Sequence, residues 1–545
     1  MKLYEFPCGC SFPVLQEFDD GRIPLLDFDI EKVPQDCKAV WNLLGEGKTK
    51  GVFQLETSLG RQWTKKLKPE NLEHMSALGA LLRPGSLRAV DEQGISMTEH
   101  YCRRKNQQEE VSKYQQDLDL ILNPTYNVLS YQEQSLQIAK VIAGFTLQEA
   151  DSLRKAMGKK LAAEMAKCKK IFLDGAAKVG KVTKEQAEEI FGWIEKSQRY
   201  SFNKSHAFSY GTTGYDTAYI KAHFPLAFYT SWLYHAKNNQ DPRQEISELV
   251  NDAKLFDIEI QVPDLRDLEK NFYTDGKIIK FGLSDIKGIG EAQVNKLTET
   301  IKNLKLDLNS LDWKSFLLEC GMFLTPNILM KLIQVGALKW MQKLRQDMLE
   351  EFKVFDSLTK LEREWLKNNW NNQNFIDALK DLAKPKEEGG GAANKNRRSI
   401  IFSQAQLLEN PPTPRNDNPN WIAWTEEQLL GVSLSCSKID SCDIGEVNTS
   451  CKDFLAGKAG YMVFGVEVNQ IREVKTKKGK SAGSKMAYMT ISDNSCSLQD
   501  VVCFPDVWKE AKEFLTEKNM VMIHAERDNK KNSDLLIVKK VWQAK

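Results

Sequence analysis

The stretch NPTYNVLSYQEQSLQIAKVIAGFTLQEADSLRKAMGKK, residues 123–160, decides how the first half of the chain is read. Within it, the apolar residues of SLQIAKVIAGF recur at spacings of three and four, the pattern of a helix with one buried face. Thr146 and Glu149 follow as a capping box, which predicts a second helix running toward Met157. Gly158 stands where that helix would end. Arg154, Lys155, Lys159 and Lys160 gather four cations around the glycine. Two readings are open for them: complement to the negative end of the helix dipole, or a grip on a triphosphate.

Outward from this stretch the helical texture covers residues 46–270, as in LAAEMAKCKKIFLDGAAKV, and Pro225 is expected to end the helix of GYDTAYIKAHF. Residues 1–45 are short on helical pattern and rich in Pro, Gly and Asp. From residue 271 a strand, a glycine turn and a helix are expected in IIKFGLSDIKGIGEAQVNKL, and NILMKLIQVGAL closes a second helical unit. Residues 346–455 include KPKEEGGGAANKNRR (384–398), a flexible linker by composition. In 456–545, five segments alternate apolar and polar residues: YMVFGVEV, MAYMTIS, SLQDVVCF, NMVMIHAE and DLLIVKKV. They predict a small all-β barrel or sandwich. The expected fold is thus multidomain and mainly α, with a C-terminal all-β domain.

Composition narrows the class. The chain has 545 residues, 41% hydrophobic and 28% charged, which fits a globular protein of several domains. No apolar run approaches the roughly 18 residues of a membrane span, and MKLYEFPCGC is not a basic leader followed by an apolar core. Eleven scattered cysteines predict reduced thiols in a cytoplasmic compartment. The net charge of +2 weighs against a globally basic nucleic-acid binder but leaves room for a local basic groove.

Five constellations bear on chemistry. In SFNKSHAFSY (201–210), Asn203 or Ser205 can cap a helix whose free N–H groups, with Lys204, suit an anion. His206 and Tyr210 lie one helical turn apart and could flank a base or sugar; a capped helix with two half-buried rings is the plainer reading. In IKGIG (286–290), Lys287, Gly288 and Gly290 form a turn whose backbone can approach a DNA phosphate, or an ordinary tight turn. QAQLL, with Gln404, Leu407 and Leu408, has the form of a sliding-clamp peptide, a pattern that also arises by chance. Nucleotidyl transfer needs paired carboxylates for two metal ions; the best pair is Asp27 and Asp29 in LLDFDI, which also suits a polar-edged loop or strand. Cys8, Cys10 and Cys37 offer three thiolates with no histidine nearby in sequence, an incomplete zinc set.

GVFQLE (51–56), LLRPGSL (81–87), the 123–160 stretch, FNKSHAFSY (202–210) and AYIKAHFPLAFY resemble, in order and spacing, the fingers of the bacterial DNA polymerase III alpha subunit, of the C family. The likeness runs from about Ile23 to the end. It implies an N-terminal palm-to-fingers remnant (1–45), a nucleotide-binding fingers domain (46–270) and a tandem helix-hairpin-helix (271–345). A helical region with linker and clamp peptide (346–455) and an OB-fold for single-stranded DNA (456–545) would follow. It further implies that Arg154, Lys155 and Lys159 meet the incoming triphosphate. Asn203, Lys204, Ser205 and His206 would line the nucleotide pocket, with His206 near the sugar 2′ position. Arg83 would lie near the same cleft, and Tyr131, Gln132 and Gln134 belong to the YQEQ motif.

The family's PHP domain and catalytic palm precede the matched stretch, and its domain beyond the OB-fold follows it. By register Asp27 and Asp29 fall in a linker segment, so catalysis is not transferred to them. The expectation is template-directed DNA synthesis in a bacterial or phage-infected cytoplasm. Mg2+ ligands would sit on a palm- and PHP-containing partner chain. Primer-template DNA, deoxynucleoside triphosphates and a sliding clamp are the other partners, with no membrane. A non-catalytic DNA- and clamp-binding scaffold is the alternative.

Overall fold

The computed structural model describes residues 2–158, 162–197, 200–371, 373–391, 393–476, 482–528 and 535–544. The chain divides into two compact units, Met1–Phe228 and Tyr229–Lys545. Among the described residues no helix is long and apolar enough to cross a membrane.

The first unit opens with a small antiparallel sheet of β1 (Leu3–Glu5), β2 (Ser11–Gln16) and β3 (Leu25–Leu26). Helices follow. Those of Gln132–Ala143, Leu147–Gly158, Ala162–Val179 and Lys184–Ser197 share one core, in which Ile138, Ile142, Leu153, Phe172, Ile190 and Phe191 are buried. The expected capping box is present. Thr146 N–H donates to Glu149 Oε2 at 2.8 Å, and Glu149 N–H donates to Thr146 Oγ1 at 3.3 Å. A long helix, Lys204–His223, packs on Leu72–Leu81. Gly211 permits that approach, since a Cβ there would lie 3.0 Å from the Ser76 backbone nitrogen. The helix ends before Pro225, as the ring requires.

In the second unit a small sheet spans residue 271: β4 (Ile260–Gln261) pairs in parallel with β6 (Ile279–Lys280), which pairs antiparallel with β5 (Tyr273–Thr274). The helix Glu291–Leu304 follows the glycine turn at Gly288, and the helix Pro326–Gln334 precedes the one at Gly336. The segment expected to be a flexible linker is built into the fold. Gly390 and Gly391 are buried, and a Cβ on Gly391 would lie 2.4 Å from Leu382 Cδ1. Residues Lys395–Glu409 form a helix capped by Asn394. Glycine and lysine content signalled a linker, but here small residues allow a close turn against Leu382.

The C-terminal strands close into a barrel: β7 (Met462–Lys475), β8 (Lys485–Ser492), β9 (Ser497–Cys503), β10 (Met520–Arg527) and β11 (Leu536–Gln543). Their order is β10-β11-β9-β8-β7, with β10 returning to β7, β9 parallel to β11 and the helix Pro505–Ala511 between β9 and β10. This is OB-fold connectivity. Val466, Val468, Met489, Ile491, Val501, Val521, Ile523 and Val538 fill its interior.

Candidate nucleotide and DNA sites

The helix Lys204–His223 starts the first site. Asn203 is its N-cap, and its Oδ1 accepts from His206 N–H at 2.9 Å. Ser205 Oγ donates to the same oxygen at 2.7 Å. Two further donors at this end are engaged from across the fold. Glu133 accepts from Lys204 N–H at 2.9 Å and from Asn203 Nδ2 at 2.7 Å. A carboxylate therefore stands where the helix dipole favours an anion.

Phe202 organises the surrounding side chains. Its backbone bridges Ser130 and Gln132: Phe202 N–H donates to Ser130 O at 3.0 Å, and Gln132 N–H to Phe202 O at 2.9 Å. The Arg83 guanidinium lies 3.5 Å from the centre of the Phe202 ring. Burial there lowers the Arg83 pKa from its usual value, and Tyr210 opposes the shift. The His206 ring lies 5.3 Å from Phe202 and 4.2 Å from Tyr210, centroid to centroid. Tyr210 continues to Phe53 of GVFQLE at 5.2 Å. Lys204 Nζ pairs with Glu73 at 3.2 Å and lies 5.6 Å from the Tyr131 ring.

Two buried groups hold this arrangement. Gln134 Oε1 accepts from both Ser130 N–H and Tyr131 N–H at 3.0 Å, while its amide nitrogen donates to Thr125 Oγ1 at 2.7 Å. The Lys221 ammonium, fully buried, donates to the carbonyls of Lys48 (3.0 Å) and Lys50 (2.8 Å) and anchors the loop that carries Phe53.

Arg83, Asn203, Lys204, Ser205 and His206 are thus brought together. Arg154 and Lys155 lie on the helix Leu147–Gly158, both paired with Asp151 at 2.7 and 2.8 Å. Lys159 lies outside the described residues. Glu133, Phe202, Glu73 and Phe53 escaped the sequence reading, although all but Glu73 lie inside motifs it quoted.

Asp27 and Asp29 do not share a strand. Asp29 caps the short turn Ile30–Lys32 and pairs with Lys32 at 3.0 Å, which holds its carboxyl below the usual range. Asp27 is exposed just beyond β3, not within a strand that would aim both carboxylates one way. Among the described residues, one group of three or more His, Cys, Asp or Glu side chains brings its ligand atoms together: Cys8, Cys10, Cys37 and His223. The three cysteines were legible as a set, but His223 is 186 residues from Cys37 in the chain.

In the second unit, IKGIG turns at Gly288 with φ +73°, burying Ile286 and Ile289 and exposing Lys287, Gly288 and Gly290. Lys331 Nζ donates to Gly288 O at 3.0 Å and adds a cation to the turn. A cavity of about 460 Å³ opens beside it, with Lys237, Asp285, Lys287 and Leu430 in its lining. The second turn, at Gly336, is buried, and the Arg345 guanidinium packs on it. Arg345 is itself spent internally, on Gln334 O at 3.1 Å, Glu426 at 2.8 Å and Ser435 Oγ at 2.8 Å.

QAQLL is not an extended peptide. It lies in the helix Lys395–Glu409, where Ala405 and Leu408 are buried, Gln404 donates to Ser357 Oγ at 3.1 Å, and Gln406 and Leu407 are exposed. Apolar residues three and four apart in IIFSQAQLL are the helical signal that its reading as a flexible peptide passed over.

The family model for the bacterial DNA polymerase III alpha subunit finger domain matches residues 19–180. The DNA polymerase III subunit alpha of Aquifex aeolicus is 32% identical over 520 residues, covering 95% of this chain and 40% of that protein. Its counterpart in Pseudomonas aeruginosa is 31% identical over 520 residues, covering 91% and 41%. That of Escherichia coli K12 is 37% identical over 287 residues, covering 51% and 24%. The chain spans about two fifths of the length of the first two relatives. Over nearly its whole length, with a mainly α architecture and a C-terminal barrel, the chain is similar to a part of the bacterial DNA polymerase III alpha subunit.

Proposed function

We propose that this chain supplies the fingers and DNA-binding parts of a C-family replicative polymerase engaged in template-directed DNA synthesis in the bacterial or phage-infected cytoplasm. The observation that carries this reading is the convergence of Arg83 and His206 on the Phe202 ring at the start of one helix, with Tyr210 against His206 and Lys204 over Tyr131. A deoxynucleoside triphosphate there would meet cations on one side and an aromatic stack on the other. Two motifs distant in sequence, LLRPGSL and FNKSHAFSY, bring the arginine onto the phenylalanine, which a merely capped helix would not require. The exposed turn Lys287–Gly290, with Lys331, would hold duplex backbone by position rather than by sequence. On the barrel, Arg472 with Tyr488 and Lys540 with Trp542 pair a cation with a ring, at 5.5 and 5.0 Å, as stacking on single-stranded template needs.

Mg2+ would be held by palm carboxylates on another chain, since Asp29 is committed to its own turn. Clamp contact through Gln404, Leu407 and Leu408 requires the Lys395–Glu409 helix to unwind locally. One observation favours the second reading, a non-catalytic scaffold: Glu133 and Glu73 already neutralise the helix start.

Primer extension by the purified chain, with Mg2+ and four nucleotides, beside a band-shift on the same primer-template, separates these readings. Binding without extension, and extension restored by a palm-bearing chain, is the expected result. Binding with no extension under either condition would leave the scaffold. Robust extension by the chain alone would refute the palm on another chain.

A further inference from the structure

We propose that Cys8, Cys10, Cys37 and His223 form a structural zinc site that locks the N-terminal hairpin to the end of the nucleotide-site helix.

The four ligand atoms lie within 4.8 Å of one another. Cys37 Sγ is 3.3 Å and Cys8 Sγ 3.7 Å from His223 Nε2. A tetrahedral zinc with Zn–S of about 2.3 Å and Zn–N of about 2.0–2.1 Å sets sulfur–nitrogen edges near 3.6 Å and sulfur–sulfur edges near 3.8 Å. The observed spacing needs only small side-chain adjustment to meet that figure.

The backbone is shaped for the same end. Between β1 and β2, Phe6 N–H donates to Cys10 O at 2.7 Å and Gly9 N–H to Phe6 O at 2.8 Å, a tight knuckle. Gly9 sits at φ +89°, where a side chain would be strained, and this turn brings both flanking thiols into the cluster. Cys37 occupies the N-cap of the helix Lys38–Gly45, a place usually held by a capping Ser, Thr, Asp or Asn. Its side chain makes no capping hydrogen bond and instead meets His223. His223 is the last residue of its helix, buried between Phe6 at 4.6 Å and Tyr219 at 4.3 Å. All the cysteines are free, so no disulfide accounts for the cluster.

Buried thiols are common without a metal. Here, however, three thiols and an imidazole come from three separate elements to one point. Three thiolates and one imidazole suit zinc, and four protein ligands close the coordination sphere, which marks a structural rather than a catalytic ion. On binding, three S–H bonds give up their protons to solvent, three Zn–S bonds and one Zn–N bond form, and nothing is oxidised. A three-stranded sheet this small has little core of its own. Zinc would tie it to both the Lys38–Gly45 helix and the far end of the Lys204–His223 helix.

The test is elemental analysis of the full chain, purified under reducing conditions from zinc-supplied cells. About one zinc per chain is expected. Cys10→Ser should lower it to none, Cys10→His should retain it, and Cys442→Ser, not one of the four ligands, should leave it unchanged. Cobalt substitution of the wild-type chain keeps the test independent of mutant folding: tetrahedral ligand-field bands with thiolate-to-metal charge transfer are expected. Wild-type chain that lacks zinc and takes up cobalt only with an octahedral spectrum would overturn the proposal. So would iron in place of zinc, or zinc content untouched by Cys10→Ser.

Discussion

Replacing Gln134 by leucine tests the architecture beneath the nucleotide site. This one amide, 6% exposed, accepts from two backbone N–H groups and donates to Thr125 Oγ1. Leucine fills much of the volume but offers no acceptor. Ser130 N–H and Tyr131 N–H would then be buried without partners, at about 1–3 kcal/mol each. With the lost Thr125 bond, the cost comes to about 3–5 kcal/mol, a large part of a typical domain's stability. The damage should be local, because Ser130 and Gln132 are the residues that bridge to Phe202. Hydrogen exchange read by mass spectrometry on the full chain is the suitable assay. Peptides spanning 128–134 and 200–207 should lose roughly two to four orders of magnitude in protection, while the barrel peptides keep theirs. The arrangement of Arg83 and His206 should loosen with them, so deoxynucleoside triphosphate binding should weaken in parallel. Gln134→Leu with wild-type protection in both peptides would refute the reasoning, because it would mean that the two amides find other partners at no cost.

Three further outcomes follow from the same kind of argument. Glu133→Gln removes the carboxylate at the start of the Lys204–His223 helix; triphosphate affinity measured by calorimetry should rise about 2- to 5-fold, the size of a helix-terminus charge effect, and a fall would assign Glu133 a positioning role. Burial raises the Asp285 pKa from 3.8 to about 7, so the folded state retains a proton that the unfolded chain has lost between those values. Its stabilising contribution is therefore present below pH 3.8 and lost as pH rises through 7. Asp285→Asn keeps the acceptor for Gly282 N–H, and its thermal midpoint should exceed wild type at pH 8 with the difference vanishing near pH 4; a constant difference across pH would sink this. Arg345→Met strands the fully buried Glu426 carboxylate and should cost about 3–5 kcal/mol in urea unfolding. Adding Glu426→Gln, which keeps an acceptor for Leu434 N–H and Ser435 N–H, should restore part of it; no rescue would argue against the stranded charge as the cause.

Local pattern carries information about elements whose stability is local. The capping box at Thr146, the helix end before Pro225 and the alternation in all five barrel strands were legible in the sequence, because each depends on neighbours three or four apart or on a period of two. The exposed turn at Gly288 was legible for the same reason. Composition was the weaker guide. It made a linker of residues 384–398, where Gly391 instead packs on Leu382, and it left QAQLL outside a helix that its own apolar spacing supports. What only the tertiary structure decided is which distant residues share a point in space. Glu133 reaches Lys204 across 71 positions, Arg83 lies on Phe202, and His223 joins three cysteines near the other end of the unit. The helix dipole at Lys204 was predictable, but not that a carboxylate from another helix already answers it. Hydrogen bonds and ligand spheres of this kind depend on how helices pack, and packing joins residues with no regular spacing along the chain.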